Sequence, residues 1–382
     1  MKDLTDDRMR ISLDKKVDDS YDLVFGQNIF PRIASDLRDK KLGSKYAIIT
    51  DSNVRGLYAG KLSSELNKLG LDNSTFSFPH GEPNKTMDTC MSIMDKMSKH
   101  NFGRDSAILA LGGGVVGDMA GFIASVYNRG IPYVQIPTTI LSQADSSVGG
   151  KTGVDTEFGK NLIGAFKQPK NVYIDVATLS TLSSRDYSSG LAETIKHAII
   201  GDEKFFDYLG NNTQLMMSRD SEFLENIAKK NCKIKGEIVE KDVDENGLRR
   251  ILNYGHTIGH AVEKLSVDRF NRKESDNYLS HGDSVSIGMM VAGQISNELG
   301  FFSSNDLVLQ KTLLSFADLE TTIPSYISND DIIGVTSSDK KALNGRVRYV
   351  LPISIGKMHS FDGAYAFYVD DDVVIKALDN SR

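Results

Sequence analysis

Short apolar runs rich in β-branched and aromatic residues recur through the first half of the chain, at Tyr21–Phe25, Tyr46–Thr50, Ala107–Leu111, Tyr133–Ile136 and Val172–Ile174. Between them lie amphipathic stretches such as Lys61–Leu69 and Thr86–Lys99. Alternation of strand and helix patterns predicts a mainly parallel sheet covered by helices. From about Ser183 the texture changes, and long helical patterns dominate at Glu222–Lys241, Asp283–Leu299 and Asn305–Phe316. The expected division is an α/β domain over residues 1–182 and a mostly α-helical domain over 183–382, with ligands favouring the cleft between them. Ser106 to Asn128 is nearly uncharged, but Asp118 and five glycines there read as a strand, a tight turn and a buried helix rather than a membrane span.

Composition narrows the function classes. A chain of 382 residues exceeds a usual single core, and 40% hydrophobic with 25% charged residues describes an ordinary globular protein. The net charge of −6 argues against a nucleic-acid or anionic-membrane partner, so an anionic substrate needs a local cluster of cations. Cys90 and Cys232 have no paired spacing, and Met1–Arg8 carries acidic charges without an apolar core, so a reducing cytoplasm is the expected location.

Candidate chemistry begins at Asn253-Tyr-Gly-His-Thr-Ile-Gly-His260 and Leu279-Ser-His-Gly-Asp283, which hold three of the seven histidines. On a helix starting near His256, His256 and His260 share one face one turn apart, a spacing that suits a divalent metal. Thr257 stands where a zincin would carry its glutamate base, and two hydrogen-bonded helix histidines are the plainer alternative. In Gly190-Leu-Ala-Glu-Thr-Ile-Lys-His197, Glu193 and Lys196 are spaced like a surface ion pair, yet Glu193 is also a candidate oxygen ligand beside His256 and His281. Leu111-Gly-Gly-Gly-Val-Val-Gly-Asp118 follows a strand and opens a helix, as a pyrophosphate site or a packing turn would. Asp51 after the second strand suits a ribose hydroxyl or a helix cap. Asp145-Ser-Ser-Val-Gly-Gly-Lys-Thr-Gly153 lacks the first glycine of a P-loop, but a glycine-rich loop ending in Lys151 suits a phosphate.

Taken together these segments resemble the 3-dehydroquinate synthases. The likeness runs from about residue 20 to about residue 357 and includes Gly-Glu-Pro-Asn-Lys85, Asn128-Arg129-Gly130, Pro137-Thr-Thr139, Lys160-Asn-Leu-Ile-Gly-Ala-Phe166, Glu245 to His260 and Asp339-Lys-Lys341. The resemblance implies an NAD-binding α/β domain, a helical metal-binding domain and a homodimer. It implies Zn²⁺ or Co²⁺ on Glu193, His256 and His281. Asp51, Asn53, Glu82, Lys85, Gly113, Gly114, Val115, Asp118, Thr138, Thr139, Lys160, Thr178 and Thr181 would contact the cofactor. Lys151, Asn161, Asn253, His260 and one of Lys340 or Lys341 would surround a phosphate, with Arg129 reaching in from a partner subunit. Lys235 and Arg249 would hold a carboxylate, while Asp145, Lys151, Lys196, Glu245 and His260 would act on the reacting ring. The implied reaction converts 3-deoxy-D-arabino-heptulosonate 7-phosphate to 3-dehydroquinate and phosphate, in the shikimate pathway.

Departures from the family pattern are small. Asp155 and Asp283 replace a frequent Asn and Glu, His197 replaces a frequent Tyr, and the first 16 or so residues lie outside the likeness. Glycerol-dehydrogenase-like enzymes share the plan but lack the set of Lys151, Lys235, Arg249 and Lys340 or Lys341. Sister sugar-phosphate cyclases take substrates without a carboxylate. A metallohydrolase or a non-catalytic NAD-binding regulator has no use for the combined nucleotide and cation sets.

Overall fold

The computed structural model describes residues 2–5, 8–10, 13, 18–243, 245, 247–275, 277–338 and 347–382. Near the N-terminus, β1 (Lys2–Thr5) and β2 (Arg8–Arg10) pair antiparallel, so part of the stretch outside the family likeness has a ladder of its own. A six-stranded parallel sheet follows, built from β3 (Asp22–Gly26), β4 (Lys45–Asp51), β5 (Asp72–Phe78), β6 (Ser106–Gly112), β7 (Tyr133–Pro137) and β10 (Asn171–Asp175). Its order is β3-β10-β7-β6-β4-β5. All five apolar runs of the sequence are strands of this sheet. The sixth, β5, reads Asp-Asn-Ser-Thr-Phe-Ser-Phe; as an edge strand it is buried only at Phe76 and Phe78, so the apolar pattern did not mark it.

Side chains alternate between the two faces of each strand. Tyr46, Ile48, Leu109 and Leu111 face α1 (Phe30–Lys40) and the helix Gly60–Lys68, whereas Ala47, Ile49, Ile108 and Ala110 face the helices Met87–Lys99 and Gly114–Val126. Cover on both faces explains why β6 and β7 are buried throughout. Between β7 and β10 the chain forms an antiparallel hairpin of β8 (Lys151–Thr156) and β9 (Gly159–Phe166). Lys151 therefore opens a strand, where the sequence suggested the end of a loop.

Residues 184–379 carry the helices Ser184–Gly201, Glu203–Asn211, Thr213–Met217, Ser221–Lys241, His256–Asn271, His281–Glu298, Ser304–Phe316, Asn329–Ser338 and Asp371–Asp379. Small two-stranded ladders between Arg348 and Tyr368 interrupt them. The helix Ser184–Gly201 is the axis of this half: every residue from Tyr187 to Ile200 except Ser189 is buried. Among the described residues no helix is long and apolar enough to cross a membrane.

Candidate active site

In an open parallel sheet, ligands collect beyond the carboxyl ends of the strands, at the point where strand order reverses. Here that point lies between β4 and β6, because the chain runs from β4 to β5 on one side and returns to β6 on the other. Asp51 ends β4, and its Oδ1 accepts from the N–H groups of Asn53 and Val54 at 2.8 and 2.9 Å. The cap reading of Asp51 is thus realised, and one oxygen suffices for it. Asn53 is exposed beside it. Across the crevice Gly113 precedes the helix that starts at Gly114. A methyl group on Gly113 would meet Thr139 Cγ2 at 3.2 Å and one on Gly114 would meet Ser146 Oγ at 3.2 Å. Val115 is half-buried on the first turn.

The hairpin closes over this crevice. Lys85 is 4% exposed and donates to Asp118 Oδ2 at 2.7 Å and Asn161 Oδ1 at 2.6 Å. Burial raises the Asp118 carboxyl, and Lys85 opposes that rise. Lys160 lies between Glu82 at 3.9 Å and Glu263 at 3.0 Å. Thr138 donates its N–H to the Gly112 carbonyl, and Thr139 forms a local turn with Ser142. Thr178 and Thr181 line a groove of about 690 Å³ with Tyr58 and Lys61. Their hydroxyls are engaged inside the protein: Thr178 donates to the Asp175 carbonyl, and Thr181 pairs with Tyr58.

Helix packing assembles the histidine cluster. His256 and His260 lie on His256–Asn271, and His281 is the first residue of the next helix. A methyl group on Gly288 would stand 1.9 Å from the Gly255 carbonyl oxygen, so these two helices touch through backbone. Gly282 does the same against Ser189, and its N–H donates to Ser189 Oγ at 2.9 Å. That contact sets His281 beside Glu193 on the central buried helix. His256 Nε2 and His281 Nε2 lie 3.5 and 3.6 Å from Glu193 Oε1. The donor atoms of the three residues all fall within 4.8 Å of one another.

Neither Glu193 oxygen has a hydrogen-bond partner, although Lys196 forms an ion pair with one of them inside the core. A fully buried carboxylate left in this state fits a cation. Burial alone would raise Glu193, but Lys196 and His256 outweigh it and hold the carboxyl below its usual range. Burial, aided by Lys196, pulls His256 down to about 3, keeping it a neutral donor. The second nitrogen of each histidine is anchored, His256 Nδ1 to the Tyr254 carbonyl at 3.1 Å and His281 Nδ1 to Glu263 Oε2 at 3.3 Å. These outer bonds leave Nε2 of both rings aimed at Glu193, an arrangement that orients metal ligands. Burial opposes charge on His281, yet Glu193 and Glu263 raise it to about 9. His260 packs edge-on to His256, with ring centroids 5.2 Å apart.

Cations surround this cluster. Lys235 donates to Asp145 Oδ1 at 2.7 Å, and Asp145 also lies 3.6 Å from His197 Nε2. Burial disfavours Asp145 ionisation, but Lys235, Lys196 and His197 hold it well below the usual carboxylate range. Burial lowers Lys235 in turn. Lys151 pairs with Glu245, whose other oxygen accepts from Asn253 at 3.4 Å. Arg249 is 2% exposed, and its guanidinium donates to the carbonyls of Val243 at 2.9 Å and Gly149 at 3.1 Å. Gly149 has φ +102°, and a methyl group there would stand 2.4 Å from Arg249 Nη2. Among the described residues no carboxylate is within ion-pair distance of this guanidinium, and its Nε has no partner.

One expected participant, Arg129, is not brought to the cluster by its own chain. Arg129 is exposed just beyond the far end of Gly114–Val126, a helix about 20 Å long, so it stands remote from Gly113 in its own chain. Lys340 and Lys341 lie outside the described residues. Glu263 and Asn231 were missed by sequence reasoning. Glu263 carried a signal, because it continues the face of His256 and His260 by one more turn. Asn231, which meets His197 Nδ1 at 3.2 Å, carried none.

A parallel sheet with a glycine-lined crevice at its switch point, set against helices that bury a Glu–His–His cluster, defines a two-domain enzyme suited to a nucleotide, a divalent metal and a small anionic substrate. Models of the 3-dehydroquinate synthase N-terminal and C-terminal domains match residues 75–189 and 190–342. A 3-dehydroquinate synthase from Desulforamulus reducens is 42% identical over 342 residues, covering 90% of this chain and 93% of that one. Another, from Geotalea uraniireducens, is 43% identical over 346 residues, covering 91% of this chain and 93% of that one. The chain belongs to the 3-dehydroquinate synthase family. Among solved structures, a 2-epi-5-epi-valiolone synthase from Streptomyces hygroscopicus with NAD⁺ and Zn²⁺ bound superimposes with a TM-score of 0.84 at 27% identity, covering 97% of this chain and 99% of that one.

Proposed function

We propose that this chain converts 3-deoxy-D-arabino-heptulosonate 7-phosphate to 3-dehydroquinate and phosphate, with NAD⁺ and a divalent metal. The observation that carries the substrate assignment is Arg249, a buried guanidinium that among the described residues is bonded to carbonyls alone, with an unpartnered Nε–H. A buried charge without a counter-ion is costly, and a planar fork of donors matches a carboxylate. Lys235 adds a second positive charge within the same set, and its own partner is Asp145.

The remaining residues take their tasks within the same reading. Glu193, His256 and His281 would hold the metal, and the nucleotide would lie along Asp51, Asn53, Glu82, Lys85, Gly113, Gly114, Val115, Asp118, Thr138, Thr139, Lys160, Thr178 and Thr181. When bound, the metal supplies Lewis acidity to neighbouring hydroxyls and NAD⁺ accepts and returns one hydride. Lys151, Asn161, Asn253, His260 and one of Lys340 or Lys341 would take the phosphate. In the free protein Lys151 is neutralised by Glu245, so an arriving phosphate exchanges one anion for another. Asp145, Lys196 and Glu245 would orient the polar groups of the ring, and Asp145, held ionised against its burial by Lys235, Lys196 and His197, fixes those side chains in place.

The finer assignments belong to the same reading. We divide the chain at 182/183, between the last sheet strand and the helix Ser184–Gly201. A homodimer would bring Arg129 of one copy to the phosphate site of the other, and exposed Phe158 and Phe166 on the hairpin are apolar surface for such a contact. Zn²⁺ and Co²⁺ both suit two imidazoles and a carboxylate, and two free buried cysteines accord with a reducing cytoplasm.

Substrate competition tests the reading. The purified protein is offered the keto-acid sugar phosphate and sedoheptulose 7-phosphate together. Preference for the keto acid is expected; preference for sedoheptulose 7-phosphate would assign a sister cyclase instead.

A further inference from the structure

Glu263 touches both halves of the site. It lies on the helix His256–Asn271, one turn beyond His260 on the same face, and its side chain is 14% exposed. One of its oxygens meets His281 Nδ1 at 3.3 Å and the other accepts from Lys160 Nζ at 3.0 Å. Lys160 belongs to β9 of the α/β half and also approaches Glu82 at 3.9 Å. A line of alternating charge thus runs from Glu82 through Lys160 and Glu263 to His281, and on to Glu193 at 3.6 Å.

The links at the two ends differ in order. Glu193 is fully buried, whereas the Lys160 side chain is 52% exposed and shared between two carboxylates. A nucleotide lodged among Glu82, Lys85 and Lys160 fixes the position of the Lys160 ammonium. With Lys160 fixed, Glu263 is held in one orientation, and through it the His281 ring, whose Nε2 must face the cation. Ordering paid for by one ligand is then not required of the other, which is positive coupling.

We propose that Glu263 is a positioning residue for His281, and that the Lys160–Glu263 ion pair couples nucleotide binding to metal retention so that each ligand tightens the other. The inference rests on the functional reading above, which places NAD⁺ and metal in these two sites. Linkage requires the factor to be the same in both directions.

The test measures Zn²⁺ affinity by competition with a chromophoric chelator, without and with saturating NAD⁺, and NAD⁺ affinity by calorimetry without and with Zn²⁺. In the wild type each ligand should tighten the other about fivefold or more. Glu263→Gln should weaken Zn²⁺ binding about 10- to 100-fold and bring the coupling ratio to unity. Lys160→Met should keep Zn²⁺ affinity in the absence of NAD⁺ close to that of the wild type, and also lose the coupling. The two variants change different elements, and circular dichroism matching the wild type qualifies each. A wild-type ratio of one, or an undiminished ratio in either folded variant, overturns the proposal. Binding of both ligands without coupling overturns this inference alone, whereas a wild type that binds neither overturns the functional reading with it.

Discussion

Arg249 and His281 show how far single residues carry the chemistry. Truncating Arg249 to Ala removes a buried guanidinium at the cleft while leaving the nucleotide and metal residues in place. We expect kcat/KM for the keto-acid substrate to fall by about 2–5 kcal/mol in transition-state free energy, with NAD⁺ and Zn²⁺ affinities retained in calorimetry. At His281 the prediction concerns protons. Glu193 and Glu263 raise it to about 9 against the effect of burial, so below that pH the metal-free ring holds a proton that an incoming cation must displace. Zn²⁺ affinity should therefore climb as pH rises towards 9 and level off above it, with proton release visible as a buffer dependence of the binding enthalpy. A pH-independent affinity between 6 and 9 would show that His281 does not receive the metal. Both residues were legible in the sequence as members of family motifs. The Val243 and Gly149 carbonyls that hold Arg249 were not, because a backbone partner leaves no mark in residue type, whereas Glu263 was readable in principle as the next turn of the His256 and His260 face.

Elements explain why those residues meet. The helices His256–Asn271 and His281–Glu298 touch at backbone distance through Gly255, Gly259 and Gly288. Gly288→Ala should force them apart, costing about 1–3 kcal/mol of stability and loosening the metal cluster. Thermal unfolding followed with and without Zn²⁺ checks both parts; an unchanged midpoint and full metal affinity would contradict the packing argument. The long helices and the five apolar strands were readable because their burial is periodic, by 3.6 or continuous over a short run. Strand β5 and the hairpin β8–β9 were not. The first is a polar edge strand, and the second has an outward-facing strand whose burial follows no alternation. Lys160 and Asn161 could be matched to the family from sequence, but only the hairpin shows how they close over Lys85.

At the scale of the whole molecule, the proposed role of Arg129 requires a second copy of the chain, since Arg129 stands beyond the far end of its helix. Mixing Arg129→Ala with His256→Ala should restore part of the activity through hybrid dimers carrying one intact site, and no recovery after verified subunit exchange would remove Arg129 from the partner's site. The acidic chain, with its net charge of −6, gathers Lys151, Lys196, Lys235 and Arg249 at one cleft. Such local concentration against the overall field draws in a doubly anionic substrate. The most direct test supplies 3-deoxy-D-arabino-heptulosonate 7-phosphate with NAD⁺ and Zn²⁺ and follows phosphate release and nicotinamide absorbance in the same cuvette. Phosphate should be released in step with 3-dehydroquinate, with no net NADH. NADH accumulating in proportion to substrate consumed, without phosphate, would contradict the proposed function and indicate a simple polyol dehydrogenase.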